Sequence, residues 1–251
     1  MIKKATLITN HWYPGVKWID FQFNQIMQFV AHGYISNLSF KDDVNLKYRE
    51  ETLEGSESLL KTYQFNLVDS LMNICEKWPK AYVTDKISYC FIADQELSEV
   101  GYRNNESASP KGNCYANYLL TFKPELALEA GKLAAFSVLE VFESMFEKYS
   151  QGQVNVPAIK WVNDKDIYFD GKKISEVSSK YELIGEKCCL IIGVEVYINL
   201  APEIDGIKTI SMKEQLDYDS FDVVEFIDQL TLKLMNNSKM LQSDGIQVFK
   251  E

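Results

Sequence analysis

The sequence predicts an α+β domain in which a mixed β-sheet packs against a few helices, and three observations lead there. Short β-rich runs at 62–68, 86–94, 114–122, 165–177 and 187–200 are apolar throughout or alternate with polar residues, as sheet strands do. Stretches at 123–150 and 219–241 instead carry apolar residues at helical spacing. The two kinds of segment are interspersed without the strict alternation of a doubly wound parallel sheet. With 251 residues, 46% of them hydrophobic and 13% aromatic, the chain buries a sizeable core, and no Pro/Gly/Ser-rich linker divides it. The expectation is one main domain over 61–251, preceded by an N-terminal extension over 1–60.

Each element has its own justification. The extension holds a short apolar run at 5–8 and an amphipathic piece at 21–29, where Phe21, Phe23, Ile26, Met27 and the following Val30 recur. It ends in the charged stretch 40–58, which reads as a solvated linker. The run 62–68 alternates like a strand, and a helix over 69–78 follows it with Asp69 or Ser70 as its N-cap. Residues 86–94 read as a buried strand and 114–122 as another. The longest helical signal opens at Pro124, with Leu126, Leu133, Phe136, Val141 and Met145 along its apolar side. Asp170-Gly171 between two β-rich runs predicts a hairpin. A buried strand over 187–200 and an amphipathic helix over 219–241 complete the order.

Composition removes several classes of function. A net charge of −10 repels phosphate backbones and anionic lipid, so no nucleic-acid partner is expected. The five cysteines, Cys75, Cys90, Cys114, Cys188 and Cys189, show no C-x-x-C spacing and sit in apolar runs. They read as buried free thiols of an intracellular protein in a reducing compartment. His11 and His32 are the only histidines, which argues against a zinc site. No window approaches the ~18 apolar residues of a membrane span. The N-terminal residues lack both the Arg and the apolar run of a secretory leader, leaving a mitochondrial or cytoplasmic location.

The stretch "GYRNNESASPKGN", 101–113, looks in its second half like the end of a loop that grips phosphate and in its first half does not, while "IKWVNDKDIYFDGKKI", 159–174, sets Lys160 and Lys173 on either side of a hairpin. On residue chemistry alone, Asn163-Asp164 makes side-chain-to-backbone turns at a strand end, and Lys172-Lys173 is an ordinary exposed hairpin arm. The second stretch resembles the K-W-P-N-D, short strand, turn and K-K-I of the biotin–protein ligase catalytic domain, whose fold the lipoate–protein ligases share. "SPKGNCY" is similar to the family's S-P-x-G and following strand, and "IADQ" to the start of the loop before it. "IKTISMKEQL" is similar to its A-T-S-L run, and the last helix with "QSDGIQVF" to its closing helix and Gly. The resemblance spans roughly 63–249.

The resemblance implies a chemistry. A biotin carboxylate attacks the α-phosphate of ATP, and a lysine of an acceptor domain then displaces AMP from the acyl-adenylate. Two anions are brought together, so the site needs fixed positive charge and N–H donors. It also needs a floor of small residues for the ring. The match makes Lys160 the catalytic cation on the carboxylate and α-phosphate. Arg103, Asn105, Ser109, Asn163, Asp164 and Lys173 become substrate-binding residues.

The same comparison shows losses. Of the family's G-R-G-R-x-G-R/N-x-W loop, one Gly and one Arg remain, with Ser107 at the Trp position and Glu106 newly present. Glu176 stands on the glycine of K-x-x-G-I-L. Glu195 or Tyr197, depending on how "GVEVYIN" pairs with G-I-G-I-N, stands on a second glycine. The S-T-N that touches biotin has become Ser70-Leu71-Met72, with Asn73 displaced by one. Losing one preorganised donor costs ~3 kcal/mol of transition-state stabilisation. A carboxylate ~4 Å from a phosphate adds ~4 kcal/mol of repulsion at an effective dielectric near 20.

The expected function is therefore a catalytically degenerate ligase-like protein, a structural or interaction subunit that needs no cofactor and has protein partners in an assembly. The alternatives are an active ligase using biotin, ATP and Mg²⁺, or a binder of lipoyl or biotinyl carrier domains that leaves them unmodified.

Overall fold

The protein is described here by a computed structural model, which defines residues 6–7, 17–18, 45–52, 58–68, 70–96, 109–149, 159–163 and 165–245. Among the described residues ten strands form one mixed sheet: β1 (Thr6–Leu7), β2 (Lys17–Trp18), β3 (Asn45–Thr52), β4 (Leu59–Phe65), β5 (Ile87–Ala93), β6 (Cys114–Phe122), β7 (Ile159–Val162), β8 (Asp166–Phe169), β9 (Lys172–Ile184) and β10 (Lys187–Val196). Their spatial order is β1-β3-β4-β5-β6-β10-β9-β8-β7, with β2 also on β3. Among the described residues the parallel strand pairs are β1–β3 and β4–β5. The helices are α1 (Leu71–Lys77), α2 (Ala130–Tyr149), α3 (Met212–Leu216) and α4 (Val223–Asp244). A 3-10 helix, Pro124–Glu129, leads into α2. This is the α+β arrangement expected from the sequence.

The period-two alternation of the strands sorts side chains onto two faces. On one face, Leu60, Cys90, Ile92, Tyr118, Leu190, Ile192 and Val194 meet Leu133, Val138, Phe142 and Met145 of α2 and Phe226, Leu230 and Leu234 of α4. The other face carries a smaller core in which α1 supplies Leu71, Ile74 and Cys75 and the sheet supplies rings. Tyr63 lies 4.8 Å from Tyr48 and 5.6 Å from Phe91 between centroids, and Trp78 closes on Phe91 at 4.8 Å. The central strands β5, β6 and β10 are covered on both faces, which is why their sequences run apolar rather than alternate. All five cysteines are free and buried. Burial pushes the Cys90 thiol up to about 12 and the Cys189 thiol up to about 11. Among the described residues no helix is long and apolar enough to cross a membrane.

The charged stretch 40–58 is not a solvated linker throughout. Residues 45–52 form β3, which pairs with β4 along its length from Leu46↔Phe65 to Thr52↔Leu59. Its charges are satisfied within the fold. Arg49 is 2.5 Å from Glu51 and 2.6 Å from Asp228 on α4, and Lys61 of β4 lies 3.1 Å from Glu50. Tyr48 meanwhile joins the aromatic cluster on the opposite face. The amphipathic piece at 21–29 lies outside the described residues.

Arg49 thus joins the edge of the sheet to the C-terminal helix. Replacing it with Met leaves two partly buried carboxylates without their cation, which predicts a loss of about 2–3 kcal/mol of unfolding free energy. Urea unfolding measures it as a lower midpoint at unchanged slope. A loss within the ~0.5 kcal/mol of an ordinary surface pair would show that the bridge contributes no more than solvent does.

Candidate functional site

The site implied by the sequence lies at one end of the sheet, where the loop into β6, the exit of β10 and the β7–β8–β9 hairpins meet. The loop at Ser109–Asn113 is held from within. Tyr115 donates its hydroxyl to the Pro110 carbonyl at 3.0 Å. The Asn113 carboxamide, 1% exposed, accepts N–H bonds from Ile198, Asn199 and Leu200 at 3.0, 3.2 and 3.1 Å and donates to the Leu200 carbonyl at 2.8 Å. Asn199 then donates its side-chain amide to the Gly112 carbonyl at 3.0 Å and accepts the Phe221 N–H at 2.7 Å. Gly112 sits at φ 98°, and a Cβ there would lie 3.6 Å from that of Asn199. Glycine at this position serves the turn rather than a ligand.

Of the predicted site residues, Ser109, the first residue of this loop, is buried. Lys160 is exposed on β7, directly opposite Tyr168 of β8, which in turn pairs with Lys173 of β9. The two lysines therefore flank Tyr168 two strands apart, about 10 Å at the spacing of neighbouring strands. Asn163 is exposed in the β7–β8 turn at φ 55°, consistent with its predicted turn role. Arg103, Asn105 and Asp164 lie outside the described residues.

Lys173 corrects the sequence reading that made it an exposed hairpin arm. Lys172 takes the exposed position, and Lys173 is 4% exposed. The segment at 208–210 covers it, with the Lys173 N–H donating to Lys208 at 2.8 Å and its carbonyl accepting from Ile210 at 2.9 Å. A buried ammonium requires counter-charge. It is 2.8 Å from Asp166 and 2.5 Å from Glu176, and Glu176 also pairs with Lys165. Burial acts to lower the Lys173 pKa, but the Glu176 and Asp166 charges outweigh it and hold the ammonium above its ordinary 10.5. Burial likewise acts to raise the Glu176 carboxyl, and Lys173 and Lys165 outweigh that and hold it below 4.5.

Register explains why these charges gather. Asp166, Glu176, Glu195 and Tyr115 are successive cross-strand partners over β8, β9, β10 and β6, so they stand in one row on one face. One pair along, Gly193 opposes Ser178 and Asn117. A Cβ on Gly193 would come within 2.5 Å of Ser178 Oγ and 3.3 Å of Met72 Cε. The small-residue patch is thus already covered by the Met72 methyl from α1. Ser70 caps α1, accepting the Asn73 N–H, which sets Met72 over the sheet. Tyr197, at the end of β10, is buried.

Sequence reasoning missed Met72 as a filler and Lys165 and Asp166 as members of the charge cluster. The signal for Met72 was its place beside the buried positions Leu71, Ile74 and Cys75 of an amphipathic helix. For Asp166 it was period-two spacing from Tyr168, which only the β8–β9 register turns into proximity to Glu176. Among the described residues no group of three or more His, Cys, Asp or Glu is arranged to hold a metal.

No protein-family model matches the sequence, and no curated protein does. Solved structures do. A substituted biotin protein ligase from Aquifex aeolicus in complex with biotin superposes with a TM-score of 0.59 at 21% identity, over 75% of this chain and 74% of that one. The ligase of the same organism with biotin and ATP gives 0.57 at 23% identity over 75% of each chain. A biotin protein ligase from Leishmania major with biotin gives 0.52 at 20% identity, over 75% of this chain and 76% of that one. The chain has the biotin protein ligase fold.

Two outcomes follow from the site's geometry. Asn113→Ala takes the side-chain acceptor from the Ile198 and Leu200 N–H groups, while the Asn199 N–H keeps the Gly112 carbonyl at 3.2 Å, which predicts a loss of about 2 kcal/mol of stability, measured by chemical denaturation. The second concerns pH. A depressed Glu176 contributes stability above its unfolded value and loses it as pH falls through the folded one, so the melting temperature is expected to drop once pH passes below 4.5. Glu176→Gln lowers stability at neutral pH and flattens that acid limb. Parallel acid limbs in the two proteins would show that Glu176 is not coupled to Lys173.

Proposed function

From the biotin protein ligase fold as premise, we propose that this chain is a catalytically degenerate member of that fold, retained as a structural or interaction subunit of a larger assembly. The observation that supports this is the neutralised Lys173. An ammonium available to a substrate anion would face the site with its charge uncompensated, whereas this one is held between two carboxylates of the same chain. A phosphate or carboxylate approaching it meets Glu176 first, and at ~4 Å and an effective dielectric near 20 that repulsion is ~4 kcal/mol. The ring of biotin would need the patch at Gly193 that Met72 covers. The paired Lys173 and the covered Gly193 both weigh against biotin and ATP as ligands. The proposal takes 61–251 as the ligase-like domain and 1–60 as an extension that adds β3 to the edge of its sheet. The buried free thiols favour a reducing compartment, mitochondrial or cytoplasmic.

One observation favours the second reading, an active ATP-dependent ligase. Lys160 is exposed, stands in register with Lys173 across Tyr168, and lies on a sheet whose ligand-side loop at Ser109–Asn113 is fully built. Under that reading Arg103 and Asn105 supply the remaining contacts to phosphate.

Calorimetric titration with biotin, ATP and Mg²⁺ separates the two. The degenerate reading expects no binding heat in the wild-type protein or in Lys160→Ala, together with elution of the native protein well above its monomer size. Tight binding that Lys160→Ala abolishes would overturn it and make Lys160 a catalytic residue.

A further inference from the structure

The aromatic core on the α1 face of the sheet opens at the end away from the ligase-like site. Register sets its floor. Glu50, Lys61 and Tyr89 are cross-strand partners over β3, β4 and β5, and Tyr48, Tyr63 and Phe91 form the next row on the same face. Trp78, Tyr82 and Thr84, on the chain leaving α1, line a groove of about 420 Å³ together with Lys61, Tyr63 and Tyr89. The inner rings fix one another, Trp78 lying 5.4 Å from Tyr63 and 5.1 Å from Tyr89 between centroids. Tyr82 differs from them in being 59% exposed. Ile87, which also lines the groove, begins β5, and Ala93, in register with Tyr115 of the charged row, ends it. Those ends are about 20 Å apart, so the groove is separate from the ligase-like site.

The hydrogen-bonding character of this groove selects its occupant. The backbone carbonyls along the wall are already engaged. Those of Pro79, Lys80 and Thr84 accept the N–H groups of Tyr82, Val83 and Ile87, and that of Tyr82 accepts the Tyr89 hydroxyl at 3.3 Å. Donors are what the groove has to offer. Thr84 Oγ1 accepts the Lys86 N–H at 3.3 Å, so its own O–H is left to donate. Lys61 directs one of its three N–H groups to Glu50 at 3.1 Å, which also neutralises the charge it brings to the lining. An ordinary extended peptide carries an N–H with each carbonyl and would set those N–H groups against rings and engaged carbonyls. Proline carries the carbonyl without the N–H. We propose that the groove binds an uncharged, proline-rich segment of another protein in the polyproline II conformation. Its rings lie on Trp78 and Tyr82, and its carbonyls accept from Thr84 and Lys61. Aromatic-lined grooves are the surface on which such segments dock, and a chain with no internal hydrogen bonds keeps every carbonyl available for it. A small molecule is the poorer occupant, because small-molecule sites enclose most of their ligand while the exposed Tyr82 leaves this groove open. The proposal stands whether or not the ligase-like site is active.

Fluorescence anisotropy of a labelled polyproline peptide of about ten residues, roughly three turns, titrated with the full chain tests it. Saturable binding is expected with a Kd below about 1 mM. An alanine–serine peptide of the same length, with an N–H at every residue, is expected not to bind. Tyr82→Ala removes the exposed ring and is expected to weaken polyproline binding about tenfold. Thr84→Val removes a donor with little change of shape and is expected to weaken it severalfold. Both positions lie outside the buried core, so urea midpoints close to the wild-type value will show that the variants are folded. Polyproline that fails to bind at about 1 mM would overturn the proposal. So would equal affinity for the alanine–serine peptide, or a polyproline affinity that either substitution leaves unchanged.

Discussion

The site end of the molecule depends on one buried carboxamide. Asn113 takes three consecutive N–H groups from the chain leaving β10 and returns a bond to the Leu200 carbonyl, so the loop entering β6 and the turn leaving β10 are one unit. Asn199 extends that unit to Gly112 and to Phe221, just before α4. Asn113 and Ile198 are buried, and a buried donor without a partner costs ~1–3 kcal/mol. The clasp therefore has one low-energy arrangement. It fixes where Ser109 lies and where β10 must stop, four residues short of the end of its apolar run.

A second constraint is electrostatic and follows from the first. Once the sheet ends are placed, the β8–β9–β10 register puts Asp166, Glu176 and Glu195 in one row, and the fold must supply cations to the part of that row it buries. Lys173 and Lys165 do so. Burial works against both Lys173 and Glu176 individually, yet each is shifted toward its charged form, because the attraction across 2.5 Å exceeds the desolvation penalty. Lys173 is in this way held by carboxylates of its own chain. The same logic operates at the other edge, where Arg49 offsets Glu51 and Asp228 and turns a run of charge into strand β3.

Much of the fold was legible from periodicity. The strands β4, β5, β6 and β10, the hairpin at Asp170-Gly171 and the helices α1, α2 and α4 all lie where alternation, caps and helical spacing put them. β3 was not legible, because its residues are mostly charged and their partners lie far away in sequence, as Asp228 does. At the site, the glycine positions taken by Glu176 and by Glu195 or Tyr197 were visible by comparison with the family pattern. The burial of Lys173 was not, since nothing local distinguishes it from Lys172.

By itself, then, the sequence determined the α+β class and the departures from the ligase residue pattern. Each of these is carried by residue type and by spacing within a single element. The tertiary structure decided which charges meet, that the Met72 methyl lies against Gly193, and that β9 outruns β8. These depend on strand register and on segments distant in the chain, and a shift of one residue in register would have sent every one of those side chains to the opposite face.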